Sequence, residues 1–173
     1  MKATFFLVPA ALMITLPAKA TVFLTVEQAQ TLMFPGATFA KDFRVLSDQQ
    51  ASAIESASDT NVRNHELRAW RVSTGGWFIT DEVVGKHDFI PIALGLNADG
   101  SVRGVEILEY REAYGGEVRN PKWLAQFEGK KNGAALRLTD GIQNISGATL
   151  SSKHITDGVR RLLATYALVL APN

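Results

Sequence analysis

Residues 69–108, AWRVSTGGWFITDEVVGKHDFIPIALGLNADGSVRGVEIL, decide the fold that this sequence predicts. Apolar and polar residues tend to alternate here, which is the pattern of half-buried strands, in four runs at 69–72, 77–84, 89–96 and 102–108. The turns at 73–76 and 97–100 are rich in Gly, Ser, Asn and Asp, as is typical of β-hairpins. The segment therefore predicts two consecutive hairpins in one antiparallel sheet.

Helices are predicted on both sides of these strands. Thr25-Val26-Glu27-Gln28 and Ser47-Asp48-Gln49-Gln50 have the form of a capping box, with a hydroxyl first and Gln three residues later. We expect the two helices to end at about Met33 and Ala57. Apolar residues recur at spacings of three and four over residues 155–170, which predicts an amphipathic C-terminal helix. The predicted fold class is α+β, an antiparallel sheet packed with helices from both ends of the chain.

The first 20 residues have the pattern of a secretory signal peptide. Lys2 precedes an almost unbroken apolar run at residues 5–16, and Ala18-Lys19-Ala20 places small residues at the cleavage positions. The run is short for a bilayer span, so we predict cleavage without a retained transmembrane helix. The remainder, residues 21–173, is long enough for one domain. Export without cysteines suits a bacterial periplasmic protein.

Charge and cysteine content narrow the possible functions. The chain has 18 Lys and Arg against 17 Asp and Glu, and removal of Lys2 and Lys19 leaves 16 against 17. A near-neutral surface argues against nucleic acid as a partner. The absence of Cys excludes disulfides and thiolate metal sites. The three histidines, His65, His87 and His154, are scattered, so we predict neither a metal site nor a catalytic triad.

A segment of small and hydroxyl residues, Ser146-Gly147-Ala148-Thr149-Leu150-Ser151-Ser152, precedes the C-terminal helix. It predicts a strand-to-helix turn in which Gly147 takes backbone angles closed to other residues. Ser151 or Ser152 is expected to cap the helix. Free amides at a helix start favour a bound phosphate, and Thr149 would present its hydroxyl there. An ordinary capped helix start is an equally good interpretation of this spacing.

Basic residues of the C-terminal helix lie off its apolar stripe. Lys153, Arg160 and Arg161 are therefore expected in solvent. Lys153 is also close enough in sequence to Thr149 to reach a phosphate there, although a plain surface lysine is the simpler interpretation.

Three further segments are candidates for a site. Lys86 and His87, in the turn between the hairpins, line either an anion site or a solvated turn. Residues 112–116 place Tyr114 beside two glycines, which suits either a flat heterocycle or a tyrosine covering the sheet edge. Trp123 follows a helix start at Asn120-Pro121, where core packing and a place in the site are both open.

These segments together resemble the FMN-binding domain family, found in periplasmic subunits of Rnf- and Nqr-type respiratory complexes. Ser146-Gly147-Ala148-Thr149 is similar to its flavinylation motif, although Gln143 stands where the family usually has Asp. Glu112 and Gly115 match a Glu-Thr-Pro-Gly loop that contacts the flavin, and Gly85 matches a turn near it. Trp123 and Gln126-Phe127 recur in the family's order.

The resemblance implies that residues 21–173 are one FMN-binding domain, with FMN held by a phosphoester on Thr149. The other residues predicted to bind the cofactor, from the resemblance together with their place beside the matching positions, are Gly85, Lys86, His87, Glu112, Tyr114, Gly115, Gly116, Trp123, Ser146, Gly147, Ala148, Leu150, Ser151 and Lys153. It implies a periplasmic electron carrier that a flavin transferase modifies and that works with membrane-associated electron-transfer proteins. A binding or scaffold module, and a reductase with non-covalent FMN, remain alternatives.

Overall fold

The structure, a computed structural model, describes residues 21–112 and 114–171. The predicted signal peptide at residues 1–20 lies outside the described residues. The α-helices of the described part are α1 (Val26–Met33), α2 (Asp48–Ser58), α3 (Pro121–Leu124) and α4 (Thr149–Thr165), and short 3-10 or π-helical turns lie at Gly116–Arg119, Ala125–Phe127 and Tyr166–Leu170. Its strands are β1 (Thr21–Val22), β2 (Phe39–Lys41), β3 (Arg44–Val45), β4 (Glu66–Val72), β5 (Trp77–Val84), β6 (Phe89–Leu96), β7 (Val102–Ile107), β8 (Glu109–Tyr110), β9 (Arg137–Leu138) and β10 (Gly141–Ile142).

The main sheet has the order β2-β4-β5-β6-β7, and β3 also pairs with β4. All of its pairs are antiparallel. The β4–β5 and β6–β7 pairs are the two predicted hairpins, and the longest pairing, between β5 and β6, extends from Trp77 opposite Leu96 to Val84 opposite Phe89. The predicted α+β class, with four consecutive antiparallel strands and helices from both ends, is confirmed.

Two of the helices begin with the predicted capping boxes. The Gln28 amide donates to Thr25 Oγ1 at 3.2 Å, and the Thr25 amide donates to Gln28 Oε1 at 2.8 Å. Ser47 and Gln50 make the same two hydrogen bonds at the start of α2. Each box satisfies two main-chain donors that a helix or its flanking residue leaves free, so both helix starts are fixed by local sequence.

The sheet is covered on both faces. On one face, α2 and α4 bury a cluster that includes Ile54, Ile79, Ile92, Ile155 and Val159, each fully buried. On the other face, α1 packs its Ala29 and Met33 against a smaller cluster around Phe78. Each large apolar side chain buried in this way contributes about 1.5–3 kcal/mol. The predicted apolar stripe of the C-terminal helix is therefore the face that α4 turns to the sheet.

The sequence expectation for two arginines of α4 is wrong. Arg161 is only 8% exposed, and its guanidinium pairs with Asp81 of β5 at 2.5 Å. Arg160 is half-buried and donates to the main-chain oxygens of Ser58 and Leu136. Because α4 lies between β5 and α2, side chains beside its apolar stripe reach neighbouring elements and end on carbonyl and carboxylate oxygens. Lys153, in contrast, is exposed as expected.

Candidate functional site

Residues 146–152, here called the 146–152 motif, form a turn and the first residues of α4. Gly147 has a φ of +86°, which is the conformation that the sequence predicted for it. The Ala148 amide donates to the Ile145 carbonyl at 3.0 Å, which closes the turn. Ala148 is buried, whereas Ser146 and Thr149 are exposed. The turn thus places Thr149 at the first helical residue with its side chain at the surface.

The hydroxyls of the motif have partners other than the free amides of α4. Ser151 Oγ lies 3.0 Å from the buried hydroxyl of Tyr110, and Ser152 Oγ donates to the Ala148 carbonyl at 2.9 Å. In the described part of the chain, the residue before α4 makes no side-chain capping bond. The expectation that Ser151 or Ser152 caps this helix is therefore wrong, because α4 begins at Thr149 and both serines lie inside it.

Residues 112 and 114–116, here called the 112–116 loop, are held against the start of α4. The Tyr110 hydroxyl donates to the Tyr114 carbonyl at 2.7 Å and also contacts Ser151. Gly115 has a φ of +93°, and a Cβ there would lie 2.5 Å from the Tyr110 oxygen and 3.3 Å from Ser151 Oγ. A larger residue would push the loop away from the helix. Burial raises the pKa of Tyr110, so its hydroxyl stays protonated and can donate to the Tyr114 carbonyl.

The turn at residues 85–88, here called the 85–88 turn, is joined to the same loop by Glu112. Its Oε1 accepts from the His87 amide at 2.6 Å and from the Asp88 amide at 3.1 Å. Gly85 is buried, and a Cβ there would clash with Glu112 Oε1. Burial raises the pKa of Glu112, but the hydrogen bonds from the amides of the turn lower it by more. The net pKa is therefore below the ordinary 4.5. These amides therefore hold a carboxylate of the chain itself.

The remaining predicted residues differ in exposure. Tyr114 is 85% exposed and directly precedes Gly115, which faces Ser151 of the motif, and Leu150, which directly follows Thr149, is 49% exposed. Gly116, Lys86 and His87 are exposed. Lys153 Nζ pairs with Asp157, one helical turn further along α4, at 2.6 Å. The structure thus brings the 85–88 turn, the 112–116 loop and the 146–152 motif to one end of the sheet.

Trp123 supports the motif from inside. It is 5% exposed, and its indole Nε1 donates to the Gln143 carbonyl at 2.7 Å. Gln126 Oε1 accepts from the Gln143 amide at 2.8 Å. Phe127 packs edge-on against Trp123, with ring centroids 5.3 Å apart. Trp123 is therefore a core residue, and its hydrogen bond also fixes the main chain that leads into the motif.

Sequence reasoning missed four side chains that organise this region. Tyr110 and Gln126 were not singled out for contacts, and Asn144 donates to Thr149 Oγ1 at 3.0 Å. His154 Nδ1 lies 2.5 Å from the carbonyl of Val84, which directly precedes the 85–88 turn. Of these four residues, only Gln126 had a signal in the sequence, which was its place in the recurring Trp and Gln-Phe order. The other three make contacts with residues that are distant in the chain, or they belong to no distinctive motif.

The described residues also form a cavity outside these three segments, although Phe89 in its lining directly follows the 85–88 turn. This cavity of about 540 Å³ lies beside the start of α1, and its lining includes Val26, Arg68, Thr80, Phe89, Pro91 and Leu108. Within residues 21–112 and 114–171, no group of acidic and His side chains could hold a metal ion. No helix of this part combines the length and the hydropathy that crossing a bilayer requires.

Comparison with known proteins gives a family match over most of the region just described. Residues 85–164 match the model of the FMN-binding domain, so the resemblance read from the sequence is confirmed. Over 112 residues the chain is 30% identical to one component of the Na⁺-translocating ferredoxin:NAD⁺ oxidoreductase complex of Acetobacterium woodii, and the alignment covers 60% of this chain and 51% of that relative. Over 148 residues it is 28% identical to one component of the Na⁺-translocating NADH-quinone reductase of Pasteurella multocida, and this alignment covers 73% of the chain and 57% of the relative. The chain thus aligns with little more than half the length of these relatives.

Proposed function

We propose that this chain, whose residues 85–164 match the FMN-binding domain, is an electron-carrying flavoprotein with FMN bound covalently to Thr149. The observation that carries the proposal is the position of the Thr149 hydroxyl, which is exposed at the first residue of α4. The 112–116 loop, which the resemblance places at the flavin, contacts the same helix start through Gly115. FMN attached to Thr149 would therefore be able to contact the 112–116 loop.

The start of α4 fits a phosphoester. The first amides of an α-helix have no partner within the helix, and those of α4 lack a side-chain cap in the described residues. The helix dipole adds a partial positive charge at the same end. A phosphate on Thr149 would find these amides and this field beside it. The main-chain amides of Thr149 and Leu150 and the Thr149 oxygen would therefore hold the phosphate end of FMN.

The flavin ring would lie on the exposed surface beside the motif. Leu150 directly follows Thr149, Tyr114 directly precedes Gly115 of the neighbouring loop, and the two expose 49% and 85% of their surface, respectively. A tyrosine ring and an aliphatic side chain are suitable contacts for a flat heterocycle. Lys86 offers a positive charge and His87 an imidazole near the same end of the sheet, and both side chains are exposed. Bound FMN accepts two electrons and passes them on singly, which is the redox chemistry that the protein itself lacks.

The setting proposed for this activity is the bacterial periplasm. The charged start, the apolar run and the Ala-Lys-Ala end of residues 1–20 support export. The relatives are named as parts of Na⁺-translocating oxidoreductases, which supports membrane-associated redox proteins as partners. A tether prevents loss of FMN by dilution after export, since it raises the local cofactor concentration at the site. Attachment requires a flavin transferase that uses FAD.

Co-expression with a flavin transferase tests the proposal. The exported chain should be yellow, its flavin fluorescence should survive denaturing gel electrophoresis, and its intact mass should show one added FMN. Thr149→Ala should abolish the fluorescence because it removes the nucleophilic oxygen, and Thr149→Ser should retain part of it. Thr149→Ala should melt at nearly the wild-type temperature, because Thr149 is exposed.

Three results would contradict covalent attachment at this residue. An adduct that peptide mapping places on Ser146 or Ser151 would move the site within the motif. Flavin that copurifies but leaves the protein on denaturation would instead indicate non-covalent binding, as in a reductase. A colourless wild-type chain with a well-folded domain would favour a scaffold.

A further inference from the structure

The Thr149 hydroxyl has a specific partner in this structure. Asn144 Nδ2 donates to Thr149 Oγ1 at 3.0 Å, across the five-residue span of the turn. Both side chains are exposed, so the contact lies at the surface where a modifying enzyme has access. A hydroxyl can donate one proton and accept two hydrogen bonds. The Asn144 amide therefore occupies one acceptor position of the oxygen and leaves its proton and a second lone pair available.

The main chain on each side of Asn144 is fixed. Gln143, directly before it, is bound at both its amide and its carbonyl, by Gln126 at 2.8 Å and by the buried Trp123 at 2.7 Å. Directly after Asn144, the Ile145 carbonyl accepts from Ala148 at 3.0 Å. Because both neighbours are bound, the Asn144 side chain starts from a defined point and reaches Thr149 with little freedom to lose.

We infer that Asn144 is a positioning residue for the modification of Thr149, an inference that rests on the proposed function. An exposed Thr at the first helical residue has more than one χ1 rotamer open to it. Accepting from Asn144 selects the rotamer in which Oγ1 faces residue 144. The hydroxyl is then held in one direction before the transferase binds, which removes an ordering cost from the reaction.

The attachment reaction that Asn144 would assist is a group transfer without a redox step. Thr149 Oγ1 forms a bond to the phosphorus of the FMN half of FAD, and the pyrophosphate P–O bond to the AMP half breaks. AMP leaves with the electron pair of that bond, and the hydroxyl proton passes to a base of the transferase or to water. The Asn144 amide remains a donor to the bridging oxygen of the product.

The position of Asn144 also bears on Gln143. The resemblance pairs Gln143 with an Asp of the family motif, but the hydrogen bonds of Gln143 in this structure are made by its main chain. The polar side chain that reaches the acceptor Thr is that of the next residue. The chain therefore supplies a side-chain contact to Thr149 from position 144.

The test compares Asn144→Ala with Gln143→Ala, its matched control. Gln143→Ala removes an amide side chain of similar kind one residue earlier and leaves its main-chain bonds in place. With purified flavin transferase, FAD and a divalent cation, we expect Asn144→Ala to lower the rate of fluorescent labelling about fivefold, the value of one net hydrogen bond. The maximal rate should fall while the chain concentration at half-maximal rate stays unchanged, and Gln143→Ala should be labelled at the wild-type rate.

Each outcome has one meaning. Wild-type labelling of Asn144→Ala, with unchanged melting temperature, overturns the inference and leaves the proposed function intact. Equal slowing by Gln143→Ala also overturns it, because the effect would then belong to the segment rather than to the Asn144 amide. Absence of labelling in the wild-type chain overturns the proposed function, and this role with it.

A measurement on the flavin-free chain checks the contact without the transferase. The two side-chain amide protons of Asn144 should shift in the NMR spectrum of Thr149→Ala, because the acceptor Oγ1 is gone. The side-chain amide protons of Gln143 serve as the reference and should move less. An unchanged Asn144 signal would show that the hydrogen bond is not formed in solution and would overturn the inference.

Discussion

The first main-chain amides of a helix have no partner within the helix, and the starts of α2 and α4 differ in what stabilises them. At α2, Ser47 and Gln50 exchange two hydrogen bonds of 3.2 and 3.0 Å, so the helix start is completed by four consecutive residues. At α4, the residue before the helix is Ala148, which lacks a side-chain hydroxyl or carboxylate. The nearby hydroxyls of Ser151 and Ser152 bond elsewhere.

The difference shows how a helix start is kept available for a ligand. A capped start has used its amides on its own chain, whereas an uncapped one leaves them for an anion. The α4 start is instead stabilised by residues that do not belong to the helix. The buried Trp123 lies beneath the preceding turn, and Tyr110 lies beside the first helical turn. Tertiary contacts thus replace the cap and leave the first amides of the helix open.

The largest expected effect comes from removing the support beneath the α4 start. Trp123→Ala should lower the free energy of unfolding by about 3–5 kcal/mol, because it empties a buried aromatic site. Trp123→Phe keeps most of the ring volume but loses the bond to Gln143, and we expect a loss of about 1–3 kcal/mol. Urea unfolding, together with the rate of flavin attachment, measures both effects.

Trp77→Phe is the control for that prediction. Trp77 is also buried, at 7% exposure, but it lies in β5 and packs under Arg71. The Trp77→Phe substitution should lower the free energy of unfolding without slowing flavin attachment at a temperature where the chain is folded. If Trp77→Phe slows attachment as much as Trp123→Phe does, the support of the motif by Trp123 is not specific.

A smaller effect separates the two helix starts directly. Ser47→Ala should cost about 1 kcal/mol of unfolding free energy, because it removes the cap of α2. Ser151→Ala should cost less than this, because Ser151 is not a cap and Tyr110 retains its bond to the Tyr114 carbonyl. Thermal unfolding of the two variants checks the order, and a larger loss for Ser151→Ala would contradict the comparison.

The smallest effect is a pH dependence at Glu112. Its pKa in the folded chain is below the ordinary 4.5, so the unfolded chain binds the proton more readily. The carboxylate therefore stabilises the fold above pH 4.5, and this contribution is lost as the pH falls through the folded pKa. We expect less than about 1 kcal/mol for this partly exposed group.

Melting temperatures of the wild type and of Glu112→Gln between about pH 3 and pH 7 measure this contribution. The wild type should be the more stable at neutral pH, and the difference should shrink toward low pH. Glu66→Gln is a suitable control, because Glu66 is exposed and distant in sequence from the 85–88 turn. A difference between wild type and Glu112→Gln that is constant over this range would show that the Glu112 charge is not what holds the turn.

Local sequence predicted most of the fold. The capping boxes gave α1 and α2, alternation and Gly-containing turns gave the two hairpins, and the three-and-four spacing gave α4. These patterns succeed because each depends on residues a few positions apart. The start of α4 was misplaced for the same reason: serines in a plausible capping position were assigned to the cap, while Ser151 bonds to Tyr110, 41 residues earlier in the chain.

By itself, the sequence determined the α+β class, the turn at Gly147 and the resemblance that points to Thr149, because backbone propensity, periodicity and motif are all local. The tertiary structure alone decided that the Glu112 carboxylate fills the amides of the 85–88 turn and that Tyr110 joins the 112–116 loop to α4. It also decided that Trp123 lies beneath the motif. Such contacts join residues about 20 to 40 positions apart, and only the packing of sheet against helix brings their atoms within hydrogen-bond distance.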